Sequence, residues 1–183
     1  IGCGQGYFLE NLMVNKKTAF GIDLSVEQIK ACEERNLNAK VIDLADVKEK
    51  FDCATAIFDV LNYIPKEDLK SFITQVNIVL NQGAYFIFDV NSLFGFEEVA
   101  QGSITIDLED KFISIDANFE NNKLQTDITL FTKENGGLFS KESDSIIQEY
   151  HTKEFLRKLL KECNFEIQEI KKFNLHTDEH ADK

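Results

Sequence analysis

Apolar residues in the first ninety positions alternate between short continuous runs and stretches spaced three and four apart. This is the order in which strands and crossover helices of a parallel sheet follow one another. The spacing predicts a helix from Tyr7 to about Met13 with Phe8, Leu9 and Leu12 on one face, then a strand from Thr18 to Asp23. Ser25 with Gln28 three residues on is a capping-box pattern, so a helix is expected from there to about Asn36, with Val26, Ile29 and Cys32 inward. Ala39 to Asp43 reads as the next strand. Cys53 to Phe58 is a continuous apolar run of the kind buried on both faces. Pro65 is expected to open the longest helix, carrying Leu69, Phe72, Ile73, Val76, Val79 and Leu80, with Gly83 placed to stop it. Tyr85 to Val90 is then a further buried strand. Asn91 and Ser92 stand at its carboxyl end, where ligands bind in open α/β sheets.

From Ser103 to Gln148 the period changes to strict alternation, with Ile104, Ile106 and Leu108, then Ile113, Ile115, Ala117 and Phe119, then Ile128 and Leu130, each marking one face. These are antiparallel strands, three or four of them. Asn121-Asn122 suits a two-residue hairpin and Asn135-Gly136-Gly137 a looser one. The α/β pattern then resumes. Thr152 is placed to cap a helix containing Phe155, Leu156, Leu159 and Leu160, Asn164 ends it, and Phe165 to Ile170 alternates as a strand. The expected division is a core over residues 1–98, an antiparallel insert over 99–149, and a return to the core over 150–183.

Composition narrows the classes. The chain has 183 residues, 43% of them apolar, enough for one sizeable core. Its 32 acidic against 20 basic side chains give a formal charge of -12, which repels a phosphate backbone and makes nucleic acid a poor partner. Four cysteines, Cys3, Cys32, Cys53 and Cys163, show neither zinc spacing nor a disulfide framework, so no metal site is expected and reduced thiols in a cytoplasm are. No apolar run is long enough to span a membrane. The expectation is a protein with neither a nucleic-acid nor a membrane partner.

Only Ile1 precedes the glycine-rich opening, although such a turn ordinarily follows a strand, and Asn174 to Lys183 is polar with no apolar element after it. On this reading a strand is missing at each end.

The opening Ile1-Gly2-Cys3-Gly4-Gln5-Gly6 has a GxGxG pattern, and Tyr7 occupies the position that would be needed for the GxGxxG of dinucleotide binders. Glycines without that spacing suit a ligand whose non-phosphate parts approach the chain closely. Asp23, 17 residues past Gly6 at the end of the next strand, can accept both hydroxyls of a ribose. It also suits a turn before the Ser25 cap. Asp43 can accept from an adenine amine, with Leu24 and Leu44 on either side of the base. Asp43 or Asp46 equally suits a cap for the segment that follows.

The segments Ile-Gly-Cys-Gly-Gln-Gly (1–6), Gly-Ile-Asp-Leu-Ser (21–25), Phe-Asp-Cys-Ala-Thr-Ala-Ile-Phe-Asp-Val-Leu-Asn-Tyr-Ile (51–64) and Gly-Ala-Tyr-Phe-Ile-Phe-Asp-Val-Asn-Ser (83–92) resemble successive motifs of class I S-adenosylmethionine-dependent methyltransferases. The resemblance is closest to bacterial small-molecule types with an antiparallel insert after the fifth strand. It implies a Rossmann-like three-layer α/β sandwich, sheet order 3-2-1-4-5-7-6, with strands one and seven being the missing ones. It also implies S-adenosylmethionine as cofactor and S-adenosylhomocysteine as product. Carried over by position, Gly2, Cys3, Gly4 and Gly6 would line the methionine moiety, Asp23 the ribose and Asp43 the adenine, while Phe58 and Asp59 would close over the cofactor. In the family an acidic residue usually precedes the first glycine, and that contact has no counterpart to assign here.

Asn62, Tyr63, Asn91 and Phe94 follow the fourth and fifth strands of that order and are expected to face a small-molecule acceptor. Core packing is the competing reading for Tyr63 and Phe94, and Phe8 is expected in the core. Asp89, a charge in an otherwise apolar strand, is a candidate for orienting the pocket, and the sequence does not identify its partner. If the acceptor must lose a proton, Tyr150-His151 at the insert's return is the candidate base, although a histidine beside a helix cap is more often exposed or structural. The competing functions are a nicotinamide-dependent dehydrogenase, which Tyr7 opposes, and a binding module without turnover.

Overall fold

The computed structural model describes residues 1–173 and 183, so most of the polar stretch from Asn174 lies outside the described residues. The chain forms two compact units. One comprises residues 1–61, 67–90 and 156–167, the other 62–66, 91–155 and 168–183.

The first unit is built on two parallel strand pairs. In one, β1 (Gly21–Asp23) pairs with β2 (Ala39–Val41), Asp23 lying opposite Val41. In the other, β3 (Phe51–Ala56) pairs with β4 (Leu80–Phe88), Ala56 opposite Phe88. The helices are α1 (Tyr7–Val14), α2 (Val26–Glu34) and α3 (Leu69–Val79). Ile22, Leu44, Val47, Ala54, Val76, Val79 and Leu80 make the main core, and Leu9, Cys32 and Leu37 a smaller one. The Ser25 hydroxyl accepts the Gln28 amide at 3.3 Å and so starts α2, as the capping pattern requires.

Several local expectations need correction. Phe8 is 38% exposed; in α1 only Leu9 is buried, because an eight-residue helix offers one turn's width to Cys32 and Leu37. Neither β3 nor β4 is buried on both faces. Ala54 and Ala56 are covered, while Cys53 is exposed and Tyr85 and Ile87 are more than half exposed. An apolar run states affinity for a core but not how many layers cover it, and α3 packs on one side. Gly83 does not stop α3, which passes directly into β4 at Leu80. The glycine lies within β4 at φ +79°, where the register against β3 slips between Phe51 and Cys53, so it serves a bulge. Among the described residues Phe165 to Ile170 pairs with no strand: Phe165 packs its ring 5.8 Å from that of Phe86, and Ile167 and Ile170 are exposed.

The second unit is dominated by a four-stranded antiparallel sheet in chain order: β5 (Gly102–Asp107), β6 (Lys111–Glu120), β7 (Lys123–Lys133) and β8 (Phe139–Glu149). Asn121 and Asn122 both take left-handed conformations at φ +54° and +62°, as a tight two-residue hairpin turn demands. Phe96, fully buried, stacks on Phe119 and meets Tyr150 edge-on. The Thr152 hydroxyl caps α4 (Lys153–Glu162) by accepting the Phe155 amide at 3.2 Å.

Candidate functional site

In the first unit the glycine turn is attached to β1: the Cys3 amide donates to the Ile22 carbonyl at 2.9 Å, one residue before Asp23. Gly2, Gly4 and Gly6 all adopt left-handed conformations, at φ +62°, +52° and +81°. Space separates them. A Cβ at Gly6 would stand 2.7 Å from Leu37 and 2.8 Å from the Cys32 sulfur, and one at Gly2 would stand 2.8 Å from Val60. At Gly4 a Cβ would meet nothing within 4 Å. Gly6 therefore closes the turn against the smaller core and Gly2 against Val60, and Gly4 presents bare backbone to open space.

Asp23 is fixed in that cradle. One carboxylate oxygen accepts the Gly4 amide at 2.8 Å and the other the Ser25 amide at 2.9 Å. It is thus both the turn residue before the cap and a preorganised acceptor. A carboxylate offers about four lone-pair sites, so capacity remains for two hydroxyls. Leu24 beside it is 71% exposed, an apolar platform at a strand's carboxyl end. Leu44 is 8% exposed and packs in the core, so only Leu24 of the expected pair presents a surface. Asp43 caps the short helical turn Leu44–Asp46, its carboxylate accepting the Ala45 amide at 2.8 Å. Burial pushes the Cys3 thiol up to about 11, helped by neighbouring Cys32 and Asp23, so at neutral pH it is a thiol and contributes no nucleophile.

At the carboxyl ends of β3 and β4, Phe58 and Asp59 stand in consecutive left-handed conformations at φ +63° and +64°. The Asp59 amide donates to the Asp89 carboxylate at 3.4 Å. Sequence reasoning had no partner for Asp89, because a strained turn in non-glycine residues leaves no compositional signal.

The second unit gathers the other expected residues around one buried amide. Asn62 is fully buried; its nitrogen donates to the Glu149 carbonyl at 2.8 Å and its oxygen accepts the Asn91 amide at 2.9 Å. It ties together the chain segments that carry Tyr63, Asn91 and Tyr150-His151. The Glu149 side chain reinforces the junction by accepting the Lys66 amide at 2.9 Å and pairing with Lys123 at 2.8 Å. Burial works against its charge, yet these partners hold the carboxyl below its ordinary range. A depressed carboxyl stabilises the fold above the usual glutamate value near ~4.3, and that contribution is lost as pH falls through the folded value. Glu149→Gln should therefore lower stability at pH 7 by about 1 kcal/mol. The difference from the unaltered protein should shrink in thermal melts as pH is lowered past the ordinary glutamate range and the carboxyl becomes protonated.

Tyr63 is 52% exposed and Phe94 half-buried, so Tyr63 is not core. His151 is 3% exposed, its ring 6.1 Å from that of Phe155, rather than lying in solvent. Burial, with Glu154 and Glu97 nearby, raises the Tyr150 phenol, which at neutral pH can donate a proton and not accept one. Also in this unit, a concavity of about 450 Å³ on the sheet is lined by Ser103, Asp116, Asn118, Gln125 and Asp127, with Asp116 directly opposite Asp127. Alternation in the sequence marks only the apolar face of these strands. Among the described residues no cluster of three or more histidine, cysteine or acidic side chains is arranged for a metal ion, and no helix is long and apolar enough to cross a membrane.

Residues 1–83 match the family model described as a methyltransferase domain. Among solved structures, an S-adenosylmethionine-dependent methyltransferase from Clostridium acetobutylicum is 25% identical, with a TM-score of 0.79 over 100% of this chain and 77% of that one. A sugar N-methyltransferase from Streptoalloteichus is 16% identical over 88% of this chain and 68% of its own, with a TM-score of 0.73. An amino pentose methyltransferase from Micromonospora echinaspora, solved with S-adenosylmethionine bound, is 15% identical over 88% and 72%, with a TM-score of 0.65. No curated protein matches the sequence. Residues 1–83 thus carry a methyltransferase-domain match, and the whole chain shares the fold of S-adenosylmethionine-dependent methyltransferases, which supports a methyltransferase that uses S-adenosylmethionine as cofactor.

The residues of the cradle fit that cofactor. Gly4 offers bare backbone for close approach, Asp23 a fixed carboxylate for a ribose and Leu24 an exposed apolar surface for a base.

Proposed function

We propose that this enzyme transfers a methyl group to a nitrogen or oxygen of a small polar molecule by in-line displacement. The observation that carries the reading is the Gly4-Asp23 cradle: open backbone beside a carboxylate already oriented by two amides. Gly2, Cys3, Gly4 and Gly6 would hold the methionine portion, Asp23 the ribose, Leu24 and Asp43 the adenine, and Phe58 and Asp59 would cover them. When bound, S-adenosylmethionine supplies a methyl group activated by its sulfonium. The protein's part is alignment and exclusion of water, which suffice for much of the rate when the acceptor is already a free amine.

Tyr63, Asn91 and Phe94 would meet the acceptor. Asn62 holds their loops, since both ends of its amide are engaged with backbone. The sugar and amino pentose methyltransferases that share the fold favour a hydroxylated amine as acceptor class. Where the acceptor arrives protonated, His151 would take the proton, with Tyr150 as a neighbouring donor. His151→Ala should then lower the maximal rate about 10²-fold while leaving cofactor affinity within about twofold. An unchanged rate would remove His151 from the mechanism.

The direct test is release of S-adenosylhomocysteine in the presence of a panel of amino sugars and simple amines. Turnover with a hydroxylated amine is expected. Cofactor binding with no turnover on any acceptor would instead favour a binding module.

A further inference from the structure

Left-handed backbone is costly for residues with a Cβ, and most such residues here are asparagines or lie at helix ends. Lys16 follows α1, Asn36 and Asn164 follow α2 and α4, and Asn121-Asn122 form a hairpin. Phe58 and Asp59 fit neither case. They are consecutive, one is an aromatic residue, and they follow the end of a parallel strand by two residues. Phe58 nevertheless remains 70% exposed, so burial of its ring does not offset the backbone cost. Such conformations persist only where the surroundings over-determine them.

Two contacts do so. The Asp89 carboxylate, just past the end of β4, accepts the Asp59 amide at 3.4 Å. The next residue, Val60, lies so close to Gly2 that a Cβ there would stand 2.8 Å from its methyl. The strained turn is therefore clamped at one end by Asp89 and at the other by the first glycine of the cofactor cradle. Any relaxation of Asp59 toward ordinary helical angles would displace Val60 and, with it, the packing that sets Gly2.

We infer that Asp89 is a positioning residue for the cofactor site: its carboxylate holds the left-handed Phe58-Asp59 turn, which in turn fixes Val60 against Gly2. This rests on the reading of the cradle as the S-adenosylmethionine site. Asp89 acts through the Asp59 amide and is not a catalytic residue.

Two measurements on the full chain test it, with S-adenosylhomocysteine as the titrant. Asp89→Ala should weaken binding about tenfold, the equivalent of losing one left-handed residue's worth of preorganisation. It should also speed exchange of the Asp59 amide hydrogen in the protein without ligand. Asp89→Asn keeps an oxygen that can accept the same amide, and should stay within about threefold of the unaltered protein in both readouts. Wild-type exchange and affinity in Asp89→Ala would overturn the positioning role while leaving the cofactor assignment standing. Faster exchange in Asp89→Ala, in a protein that takes up no S-adenosylhomocysteine at all, would overturn the assignment and with it Asp89's role in cofactor binding.

Discussion

Gly6→Ala should lower the unfolding temperature by roughly 5–15 °C, whereas Gly4→Ala should cost only a few degrees and yet abolish tight cofactor binding. Both positions are left-handed, so each substitution carries about 1–2 kcal/mol of backbone cost. At Gly6 the new methyl also collides with Leu37 and the Cys32 sulfur, at 2.7 and 2.8 Å. Both belong to the smaller core, and overpacking there adds ~1–3 kcal/mol. At Gly4 the methyl meets no protein atom within 4 Å and projects into the space proposed for the ligand. Scanning calorimetry paired with titration of S-adenosylhomocysteine separates the two effects. Equal thermal losses with equal affinities would mean that the turn is a packing device and no cradle.

Asp23→Ala should weaken cofactor affinity at least about 100-fold, close to 2.7 kcal/mol. Two contributions add. The side chain is the expected acceptor for the ribose hydroxyls, and hydrogen bonds to charged groups are worth about 1.5–3 kcal/mol. It also anchors the Gly4 and Ser25 amides, so its removal releases the turn proposed to hold the methionine portion. Asp23→Asn keeps one acceptor oxygen for Ser25 but turns an amide group toward the Gly4 N–H, and should fall between the two. Circular dichroism would establish that each variant remains folded. Binding of the alanine variant within a few-fold of the unaltered protein would reduce Asp23 to a turn former.

How much of this was legible in the sequence depends on whether a feature is local. The Ser25 and Thr152 caps, the Asn121-Asn122 hairpin and the alternating insert strands follow from residues a few positions apart, and the structure contains each of them. The glycine turn is readable for the same reason, since closely spaced left-handed positions call for glycine, whereas Asp23, 19 residues from Gly4, is readable only from its place at a strand's end before the Ser25 cap. What depends on distant partners was not readable. Apolar runs in β3 and β4 could not say that Cys53, Tyr85 and Ile87 would face outward, since coverage is decided by how many layers pack. Alternation over Phe165 to Ile170 could not say whether a strand would lie beside it, and among the described residues none does. Gly83 was credited with stopping a helix because glycine serves bulges and helix ends alike, and the register against β3 decides which. Asn62 was placed facing an acceptor, but its amide is engaged by Glu149 and Asn91, 87 and 29 residues away in sequence. Asp89 had no visible partner because its partner is a backbone amide.

We propose that the cradle around Gly4 and Asp23 takes S-adenosylmethionine. Isothermal titration with S-adenosylhomocysteine tests it most directly, with S-adenosylmethionine and NAD as competitors. One saturable site per chain is expected, displaced by S-adenosylmethionine and untouched by NAD. Saturable binding of NAD, or no uptake of either sulfur nucleoside, would contradict it.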